Sequence, residues 1–485
     1  DRHIALPGNK GHYQEFFLGS VKAICSFLEQ FAGAAFVSIN PLDSVTVGSC
    51  RNLSIPDSFS FRRKPVFEYC IAGRRNLFYD LANNLLPAPD YGQFGGHSHV
   101  HAIPPQKYFA SHPEYFAEIK GKRTLTNAVN PQYCLSNPQV RELIYAELLR
   151  RADSGFTLLQ LAQSDGFFSG CECAECVKLY DVKTISEKLW CFHRDLAQRL
   201  LKDRPGKQVS ILAYGPTKNG PESFRDFPEN VVIDLCPFPP FSKEYIIPWR
   251  KYMVPGGFTV YLYNWGFYHY EGFTPHRTFA YLATQAKAMR DEKIRGIYCC
   301  GFGESYGLEG PAYYLWGKLL EDPQADTDRL LKKYCQTAFG PASDEMECFF
   351  RILDRCIGKC DTGTSDWNDP KLLSADWKGE DITLRFYLQR YSEADLTVLE
   401  KQLAAAEKKF PSSMLLKLVR LEFDYLQKTV RAVDAFVRVR KEQSSENRIT
   451  FLKAVAARNH YIASLPKLLD GKYSVFSCAD QEILR

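Results

Sequence analysis

The sequence has no apolar segment long enough to cross a bilayer, no run of basic residues and no internal repeat. None of its 485 residues lies in a stretch approaching about eighteen consecutive apolar side chains, so we predict no membrane-spanning helix. The 61 Lys and Arg residues outnumber the 56 Asp and Glu residues only slightly, and they are spread along the chain. Because binding along a phosphate backbone requires clustered cations, nucleic acid is not an expected partner.

Cysteines are plentiful, but they do not form the compact framework that is typical of small disulfide-rich proteins. The 16 cysteines are distributed along the chain, so neither a cytosolic nor an exported enzyme is excluded. The chain begins at Asp1 without a signal peptide, as expected of a processed or trimmed sequence. A secreted or periplasmic location is slightly favoured, and the pattern does not indicate an oligomeric state.

A chain of this length is expected to fold as two or three domains. Its middle part alternates short β-rich runs with helical segments, and runs such as "SILAY", "VVIDL" and "TVYLY" lack a polar face, as parallel strands covered on both sides should. Eight such strands predict an α/β fold of the (β/α)8 TIM barrel type. The predicted strands are residues 65–70, 91–97, 132–136, 156–163, 208–214, 230–236, 257–263 and 294–300, and the predicted helices are residues 76–84, 137–153, 177–203, 242–252, 274–291 and 311–320.

The pattern changes on either side of this barrel, which we place at residues 61–323. Residues 14–32 repeat apolar side chains at helical spacing and precede a short strand at 33–39, which indicates a partial N-terminal α/β domain over residues 1–60. Long amphipathic segments follow the barrel and predict a C-terminal helical domain over residues 324–485.

The reactive side chains of such a barrel lie at the carboxyl ends of its strands. Two carboxylates are candidate catalytic residues: Asp165 follows the fourth predicted strand, and Glu304 follows the eighth. Asp165 could instead cap the turn that follows it, and Glu304 could belong to a plain glycine-rich loop. The candidate substrate-binding residues are His97, His99, Gln163, Tyr214, Tyr263, Asn264, Trp265 and Glu309, of which Glu309 could instead cap a helix.

Carboxylates on separate strand ends, with aromatic side chains between them, are the arrangement that glycoside cleavage requires. One acid protonates the leaving oxygen, and a second group stabilises or attacks the anomeric carbon. Tyr and Trp rings pack against sugar faces, whereas His and Asn bind hydroxyls. Aromatic residues make up 14% of the chain, although large cores use them as well. The pattern predicts a hydrolase that needs no cofactor for catalysis and has a glycan as its partner.

The histidines of "HSHVH" have three interpretations. Alternate spacing in a strand would place His97, His99 and His101 on one face, which permits metal binding. Pro104 and Pro105 follow at once, however, and no carboxylate is adjacent. Contact with substrate hydroxyls is therefore preferred, and structural hydrogen bonding is the third alternative.

Three cysteines in C-x-C-x-x-C spacing follow Asp165. Tetrahedral zinc requires four ligands and is usually bound by two CxxC pairs or by a CxxC pair with histidines. Here Cys171, Cys173 and Cys176 have no obvious fourth partner in the sequence. A structural metal, a local disulfide and free thiols are all open, and a catalytic thiol is disfavoured because no His/Asn pairing is evident. In each case we expect the cluster to stiffen the loop that presents Asp165.

Several phrases of the sequence resemble a known family. "HPEYFAEIKGKR", "CLSNP" and "CECAEC", together with "RNLSIPDSFSFRRKPVFEY" and "ILAYGPTKNGPESFRDFPENVVIDLC", fall in the order seen in the bacterial domain-of-unknown-function family 4838. That family includes glycoside hydrolase family 163, whose members are endo-β-N-acetylglucosaminidases acting on complex N-glycans. The resemblance covers most of residues 15–350. More distantly, the layout is similar to hexosaminidase and α-glucuronidase barrels.

The resemblance implies a retaining, substrate-assisted hydrolase of a β-linked N-acetylhexosamine. In hexosaminidases of this kind an aspartate and a glutamate share the end of the fourth strand; here Asp165 falls at that position, but Gly166 follows it. Glu304 is therefore the candidate acid. Relatives also tend to have a glutamate at the end of the last strand, where this chain has Cys299 and Cys300.

Three alternatives to this function stay open. A hydrolase of another sugar such as a uronide would need a cation aimed at the substrate carboxylate. A non-catalytic carbohydrate-binding barrel is motivated by the missing Asp-Glu pair. A metal-dependent hydrolase would use the histidines and cysteines.

Overall fold

The computed structural model describes residues 3–7, 13–39, 45–46, 52–72, 77–86, 88, 91–92, 97–125, 131–166, 170–237, 243–265, 275, 277–300, 306–359 and 387–468. The strands in chain order are β1 His3–Pro7, β2 Tyr13–Phe17, β3 Ser38–Ile39, β4 Val45–Thr46, β5 Tyr69–Ala72, β6 Tyr91–Gly92, β7 Glu118–Ile119, β8 Lys122–Arg123, β9 Leu158–Leu161, β10 Gln208–Ala213, β11 Val231–Leu235, β12 Phe258–Leu262 and β13 Gly296–Cys299. The helices are α1 Leu18–Phe31, α2 Leu77–Ala82, α3 His99–Ala102, α4 Pro105–Tyr108, α5 Pro138–Asp153, α6 Ala174–Lys178, α7 Ile185–Asp203, α8 Lys243–Ile246, α9 Phe279–Asp291, α10 Gly310–Glu321, α11 Thr327–Phe339, α12 Ser343–Gly358, α13 Glu393–Lys409, α14 Met414–Lys441 and α15 Ser445–Leu468.

A parallel sheet of seven strands is the centre of the fold, with the order β5-β13-β12-β11-β10-β9-β6. Each pair of neighbours is parallel. The sheet curls like a barrel and brings its two edge strands close together, so that the rings of Tyr69 and Tyr91 lie 5.7 Å apart. The predicted α/β class is confirmed, but the described residues do not show the full eight-stranded barrel.

The third predicted strand, residues 132–136, was wrong. Tyr133 forms only an isolated antiparallel bridge with Phe116, and β6 pairs directly with β9. The other seven predicted strands are present, although β6 has only two residues. Their residues are largely apolar and buried on both faces, because helices cover the outside of the sheet and side chains fill the inside.

The inside of the sheet contains a buried polar layer below the strand ends. Tyr91 donates a hydrogen bond to Ser210, and Thr259 donates one of 2.8 Å to the Asp234 carboxylate. Gly296 makes room for this layer, since a Cβ atom there would lie 2.1 Å from the Tyr69 ring. Burial raises the pKa of Asp234 to about 7, and the hydrogen bond from Thr259 opposes that rise.

This buried carboxyl predicts a pH-dependent stability. Because the pKa of Asp234 is higher in the folded state, the protonated carboxyl stabilises the fold. This contribution is fully present below the pKa of the unfolded chain, at about 4, and is lost as the pH rises through about 7. Each unit of the shift corresponds to about 1.4 kcal/mol. Asp234→Asn keeps an oxygen that can accept from Thr259 but does not ionise. We therefore expect the wild type to lose more thermal stability than this variant between about pH 5 and about pH 8.

Thermal unfolding of both proteins across this pH range measures the effect. Asp226→Asn, at an exposed position before β11, is the matched control and is expected to follow the wild type. Parallel pH profiles for the wild type and Asp234→Asn would contradict the prediction.

Helices cover the outer face of the sheet, and several begin at polar caps. The Asn137 side chain accepts hydrogen bonds from the first turn of α5, and Thr184 caps α7 in the same way. The predicted helices at 137–153, 274–291 and 311–320 correspond closely to α5, α9 and α10. The prediction of one helix over 177–203 was too long, because α7 begins at Ile185.

The N-terminal helix prediction was wrong in its first part. Residues 13–17 form β2, which pairs antiparallel with β1, and α1 begins only at Leu18. The end of α1 contacts the central part of the fold through the Lys318 ammonium, which donates to Glu29. The Asn83 side chain also donates to the Phe36 carbonyl oxygen.

In the part of the chain that the structure describes, the last strand is followed by helices and no further strand, as the sequence predicted. The buried helix α10 precedes α11 and α12, and the long helices α13, α14 and α15 complete the described chain. Glu422 of α14 joins this helical part to the segment just before α10, since its carboxylate accepts hydrogen bonds from the backbone N–H groups of Gly307 and Leu308. Among the described helices, none combines the length and apolar character that crossing a membrane requires.

Candidate active site

A short loop after β9 presents Asp165 at the carboxyl end of the sheet, and its neighbours hold it in place. The buried Gln163 side chain donates to the Tyr214 carbonyl oxygen at 2.9 Å and to the Thr217 hydroxyl at 2.7 Å. Ser164 donates to the Pro131 carbonyl oxygen at 2.6 Å. The loop is thus tied both to the end of β10 and to the segment that begins at residue 131.

Asp165 itself is fixed by its backbone, while its side chain faces solvent. The Gln132 amide donates to the Asp165 carbonyl oxygen at 2.6 Å. Gly166 has a φ of +104°, a conformation that favours glycine, and its N–H donates to the Asp165 carboxylate at 2.8 Å. The side chain of Asp165 is 49% exposed. A carboxylate that is held this firmly and still reaches solvent can contact a ligand without a large rearrangement.

Two predicted residues flank the Asp165 carboxylate. His97 Nε2 lies 3.9 Å from the nearer carboxylate oxygen, and His97 Nδ1 lies 2.8 Å from the Gln163 carbonyl oxygen. Because a carbonyl oxygen only accepts, Nδ1 bears a proton, and Nε2 is the nitrogen that faces Asp165. On the other side the Tyr214 hydroxyl hydrogen-bonds to Asp165. Burial first, and then this carboxylate, raise the pKa of Tyr214, so the phenol stays protonated and donates.

Aromatic side chains line the inside of the sheet next to this carboxylate. The Tyr261 ring lies 4.9 Å from that of Tyr263 and stacks on Tyr298 at 4.4 Å. Burial raises the pKa values of Tyr261 and Tyr263. With Tyr214 they form a phenol-rich wall, which we call the tyrosine wall (Tyr214, Tyr261, Tyr263 and Tyr298). Such a surface offers both flat apolar faces and hydroxyl groups to a sugar.

His99 does not lie at this site, and its burial contradicts the predicted contact with substrate. Residues 99–102 form helix α3 rather than a strand, so the three histidines do not share a strand face. His99 Nε2 lies 3.2 Å from His193 Nε2 in the core. Burial, and then the charge of His97, lower the pKa of His99 to about 3, so the ring is neutral. His99 therefore has a packing role.

Three further predicted substrate ligands are also buried. Asn264 donates to Gln285 of α9 at 2.6 Å, and Trp265 packs edge-on against Tyr313 and Trp316. Gln163 supports the turn at Tyr214, as described above. Because all three side chains are buried, the structure does not place them in contact with a solvent-accessible sugar.

Of the two candidate glutamates, Glu304 and Glu309, the structure describes only Glu309. Glu304 lies outside the described residues. Glu309 is buried at the N-terminal boundary of α10, where its side chain makes no cap hydrogen bond. Its carboxylate instead accepts from the Tyr313 hydroxyl. Burial removes Glu309 from direct contact with a solvent-accessible ligand.

The cysteine cluster has a fourth member that sequence reasoning missed. The sulphur atoms of Cys134, Cys171, Cys173 and Cys176 all lie within 4.8 Å of one another. Cys134 belongs to the phrase "CLSNP", and no local spacing connects this phrase to "CECAEC". Among the described residues, this is the only group of three or more metal-ligating side chains that could share one ion, and it does not include the histidines of "HSHVH".

Comparison with known proteins gives one family and several distant folds. The family model described as "Domain of unknown function (DUF4838)" matches residues 38–349. No curated protein matches the chain significantly. A family 89 glycoside hydrolase from Clostridium perfringens, in complex with 2-acetamido-1,2-dideoxynojirmycin, has a TM-score of 0.55 and 10% identity over 95% of this chain and 60% of that chain. At this identity the likeness shows a shared fold.

Two other solved structures have lower TM-scores. A family GH115 4-O-methyl-α-glucuronidase with specificity for decorated arabinogalactans has a TM-score of 0.44 and 13% identity over 72% of this chain and 47% of that chain. An O-GlcNAc hydrolase mutant from Thermobaculum terrenum has a TM-score of 0.37 and 14% identity over 73% of this chain and 76% of that chain. The chain thus spans about half of the glucuronidase and 60% of the family 89 enzyme.

Proposed function

We propose that this chain, which belongs to the DUF4838 family, is a glycoside hydrolase whose catalytic carboxylate is Asp165. The observation that supports the proposal most strongly is the presentation of Asp165 at the carboxyl end of β9. The side chain is exposed, its loop is fixed by hydrogen bonds from Gln132, Gln163 and Ser164, and the tyrosine wall lies beside it. Strand ends of this kind are where the reactive groups of barrel enzymes lie.

The fold supports the same class of reaction. The family 89 enzyme with which the chain shares its fold is a glycoside hydrolase by name, and it binds an N-acetylated iminosugar. Transfer of that activity to this chain is part of the proposal. The substrate that we propose is a β-linked N-acetylhexosamine, N-acetylglucosamine in a complex N-glycan.

In the proposed mechanism Asp165 acts on the substrate's acetamido group. Its carboxylate accepts a hydrogen bond from the acetamido N–H and orients the acetamido oxygen towards the anomeric carbon. A bond forms between that oxygen and the anomeric carbon as the bond to the leaving oxygen breaks, and the leaving oxygen takes a proton from an acid, for which Glu304 is our candidate. Water then attacks the anomeric carbon and gives a proton to the now deprotonated acid, while the bond to the acetamido oxygen breaks, so the configuration is retained.

The neighbours of Asp165 prepare it for this step. The Tyr214 hydroxyl donates to the carboxylate and fixes its rotation, and His97 Nε2 lies 3.9 Å from the same carboxylate. The negative charge of Asp165 stabilises the positive charge that develops on the acetamido group in the transition state. This stabilisation requires no reorganisation, because the donors are already in place.

Tyr214→Phe is expected to lower kcat/KM by about tenfold, since a hydrogen bond to a charged group contributes about 1.5–3 kcal/mol. The ring and its packing against His97 are kept, so the loss reports the hydroxyl group. Initial rates on a cleaved substrate measure it. Tyr145→Phe removes a hydroxyl that donates to the Asp203 carboxylate between α5 and α7, and serves as the matched control. Equal losses in the two variants would count against a specific role for Tyr214.

Hydrolysis of a mixed substrate panel tests the proposed function. Complex N-glycans and aryl β-N-acetylglucosaminides are expected to release product, whereas aryl glucosides that lack the acetamido group and aryl uronides are not. Cleavage of uronides alone would overturn the substrate assignment. Tight binding of N-glycans without any product would identify a carbohydrate-binding barrel and overturn the enzymatic proposal.

A further inference from the structure

We infer that Cys134, Cys171, Cys173 and Cys176 bind one zinc ion, and that this ion fastens the loop of Asp165 to its support. The four sulphur atoms converge on a common centre, since all lie within 4.8 Å of one another. Cys134 Sγ is 3.6 Å from Cys176 Sγ and 3.7 Å from Cys173 Sγ. Four sulphurs at the usual Zn–S bond length of about 2.3 Å form a tetrahedron with edges of about 3.8 Å.

The hydrogen bonds around the sulphurs fit thiolate ligands. The Glu118 backbone N–H donates to Cys171 Sγ at 3.2 Å, and the Arg123 guanidinium donates to the same sulphur at 3.4 Å. The Ser136 hydroxyl lies 3.1 Å from Cys176 Sγ. Four thiolates around Zn²⁺ leave a net negative charge, and the cation of Arg123 and these donors stabilise it. Such outer contacts orient ligands and tune metal affinity.

A disulfide interpretation explains less of this geometry. All four residues are free cysteines, of which Cys134 and Cys176 are buried and Cys171 and Cys173 are half-buried. A disulfide would draw the sulphurs into separate pairs at about 2.05 Å, whereas Cys134 Sγ lies at nearly equal distances of 3.6 Å and 3.7 Å from two other sulphurs. Four protein ligands fill a tetrahedral coordination sphere, so the ion has no open position for substrate and its role is structural.

The position of the site indicates what the ion stabilises. Cys134 lies two residues after Gln132 and three after Pro131, whose amide and carbonyl oxygen hold Asp165 and Ser164. The other three ligands lie on the segment 170–178 that follows the Asp165 loop. The ion would therefore join the segment that supports the Asp165 loop to the segment that follows this loop. Its metal–sulphur bonds would add a link that side-chain packing alone does not supply. This inference depends on no assumption about the reaction that Asp165 performs.

Metal analysis of the purified full chain tests the inference without any activity measurement. After removal of loosely bound metal, we expect elemental mass spectrometry to find about one zinc ion per wild-type chain. Cys134→Ser should contain at least about fivefold less zinc. Cys348→Ser, at an exposed cysteine on α12, is the matched control and should keep its zinc. We also expect Cys134→Ser and chelator-treated wild type to unfold at a lower temperature than the zinc-bound protein.

A second measurement covers the case in which Cys134→Ser does not fold. Wild-type protein refolded with Co²⁺ in place of zinc is expected to show the sulphur-to-cobalt charge-transfer and strong visible bands of a tetrahedral thiolate site. If the wild-type protein is purified without bound metal and then takes up neither Zn²⁺ nor Co²⁺, the inference is wrong. A disulfide within the cluster, or stoichiometric iron in place of zinc, would overturn it as well.

Discussion

Replacing Asp165 by asparagine is expected to lower kcat/KM for glycoside cleavage by about 10²-fold or more. Asparagine keeps the shape of the side chain and an oxygen that can accept the Gly166 N–H, but it removes the negative charge. The substrate's acetamido group then loses the partner that stabilises its developing charge. Because the side chain is exposed, we expect the unfolding temperature to stay close to that of the wild type.

Initial rates on the best substrate of the panel measure this loss. Glu175→Gln is the matched control, because it neutralises an exposed carboxylate on α6, close to Asp165 in the sequence, without touching the proposed site. It should retain nearly full activity. If Asp165→Asn and Glu175→Gln cleave equally well, Asp165 is not the catalytic carboxylate.

Glu422→Ala is expected to lower the free energy of unfolding by about 2–5 kcal/mol. Glu422 is fully buried in α14 and accepts hydrogen bonds of 2.9 Å and 2.6 Å from the backbone N–H groups of Gly307 and Leu308. Alanine leaves both donors buried without this acceptor. It also releases the backbone just before α10, so we expect cleavage to slow together with the loss of stability.

Urea unfolding compares Glu422→Ala with two other variants. Glu422→Gln keeps one acceptor oxygen and is expected to fall between alanine and the wild type. Glu442→Ala removes an exposed glutamate from the end of the same helix and should unfold like the wild type. If Glu422→Ala unfolds with the same urea midpoint as the wild type, the two hydrogen bonds do not stabilise the fold.

Much of the sheet could be predicted because its strands are apolar on both faces. The runs at β10, β11 and β12 have no polar side to place in water, which is typical of buried parallel strands. The predicted strand at 132–136 failed for a different reason. A short run containing Tyr133 has β propensity, but propensity does not identify a partner, and within the described residues the run forms a single antiparallel bridge with Phe116.

The start of α1 could not be read from periodicity alone. Residues 13–17, "YQEFF", suit a helix by spacing, yet they pair with His3–Pro7 as a hairpin. Pairing with another segment overrode the local pattern there. Three of the described helices after the last strand were easier to predict, because α11, α13 and α14 are long and begin at the polar caps Asp326, Ser392 and Ser413.

The position of a residue after a strand predicted which end of the sheet the residue lies at. It did not predict whether the side chain points to the site or into the core. Asp165, His97 and Tyr214 lie together. Asn264 and Trp265 also follow a strand end, but the contacts of α9 and α10 turn them into the core. Those contacts depend on helix packing, which strand position does not encode. Cys134 was missed because it lies 39 positions before Cys173, far beyond the span of a local cysteine motif.

The most direct test of the central claim is proton NMR of a complex N-glycan mixed with a stoichiometric amount of the wild-type protein. The experiment follows glycan binding, bond cleavage and the configuration of the new anomeric centre in one sample. A glycoside hydrolase that uses Asp165 as proposed should release a product that first appears with the β configuration, and Asp165→Asn should leave the glycan intact over the same time. A bound glycan that the wild type never cleaves would contradict the claim, and so would a first product in the α configuration.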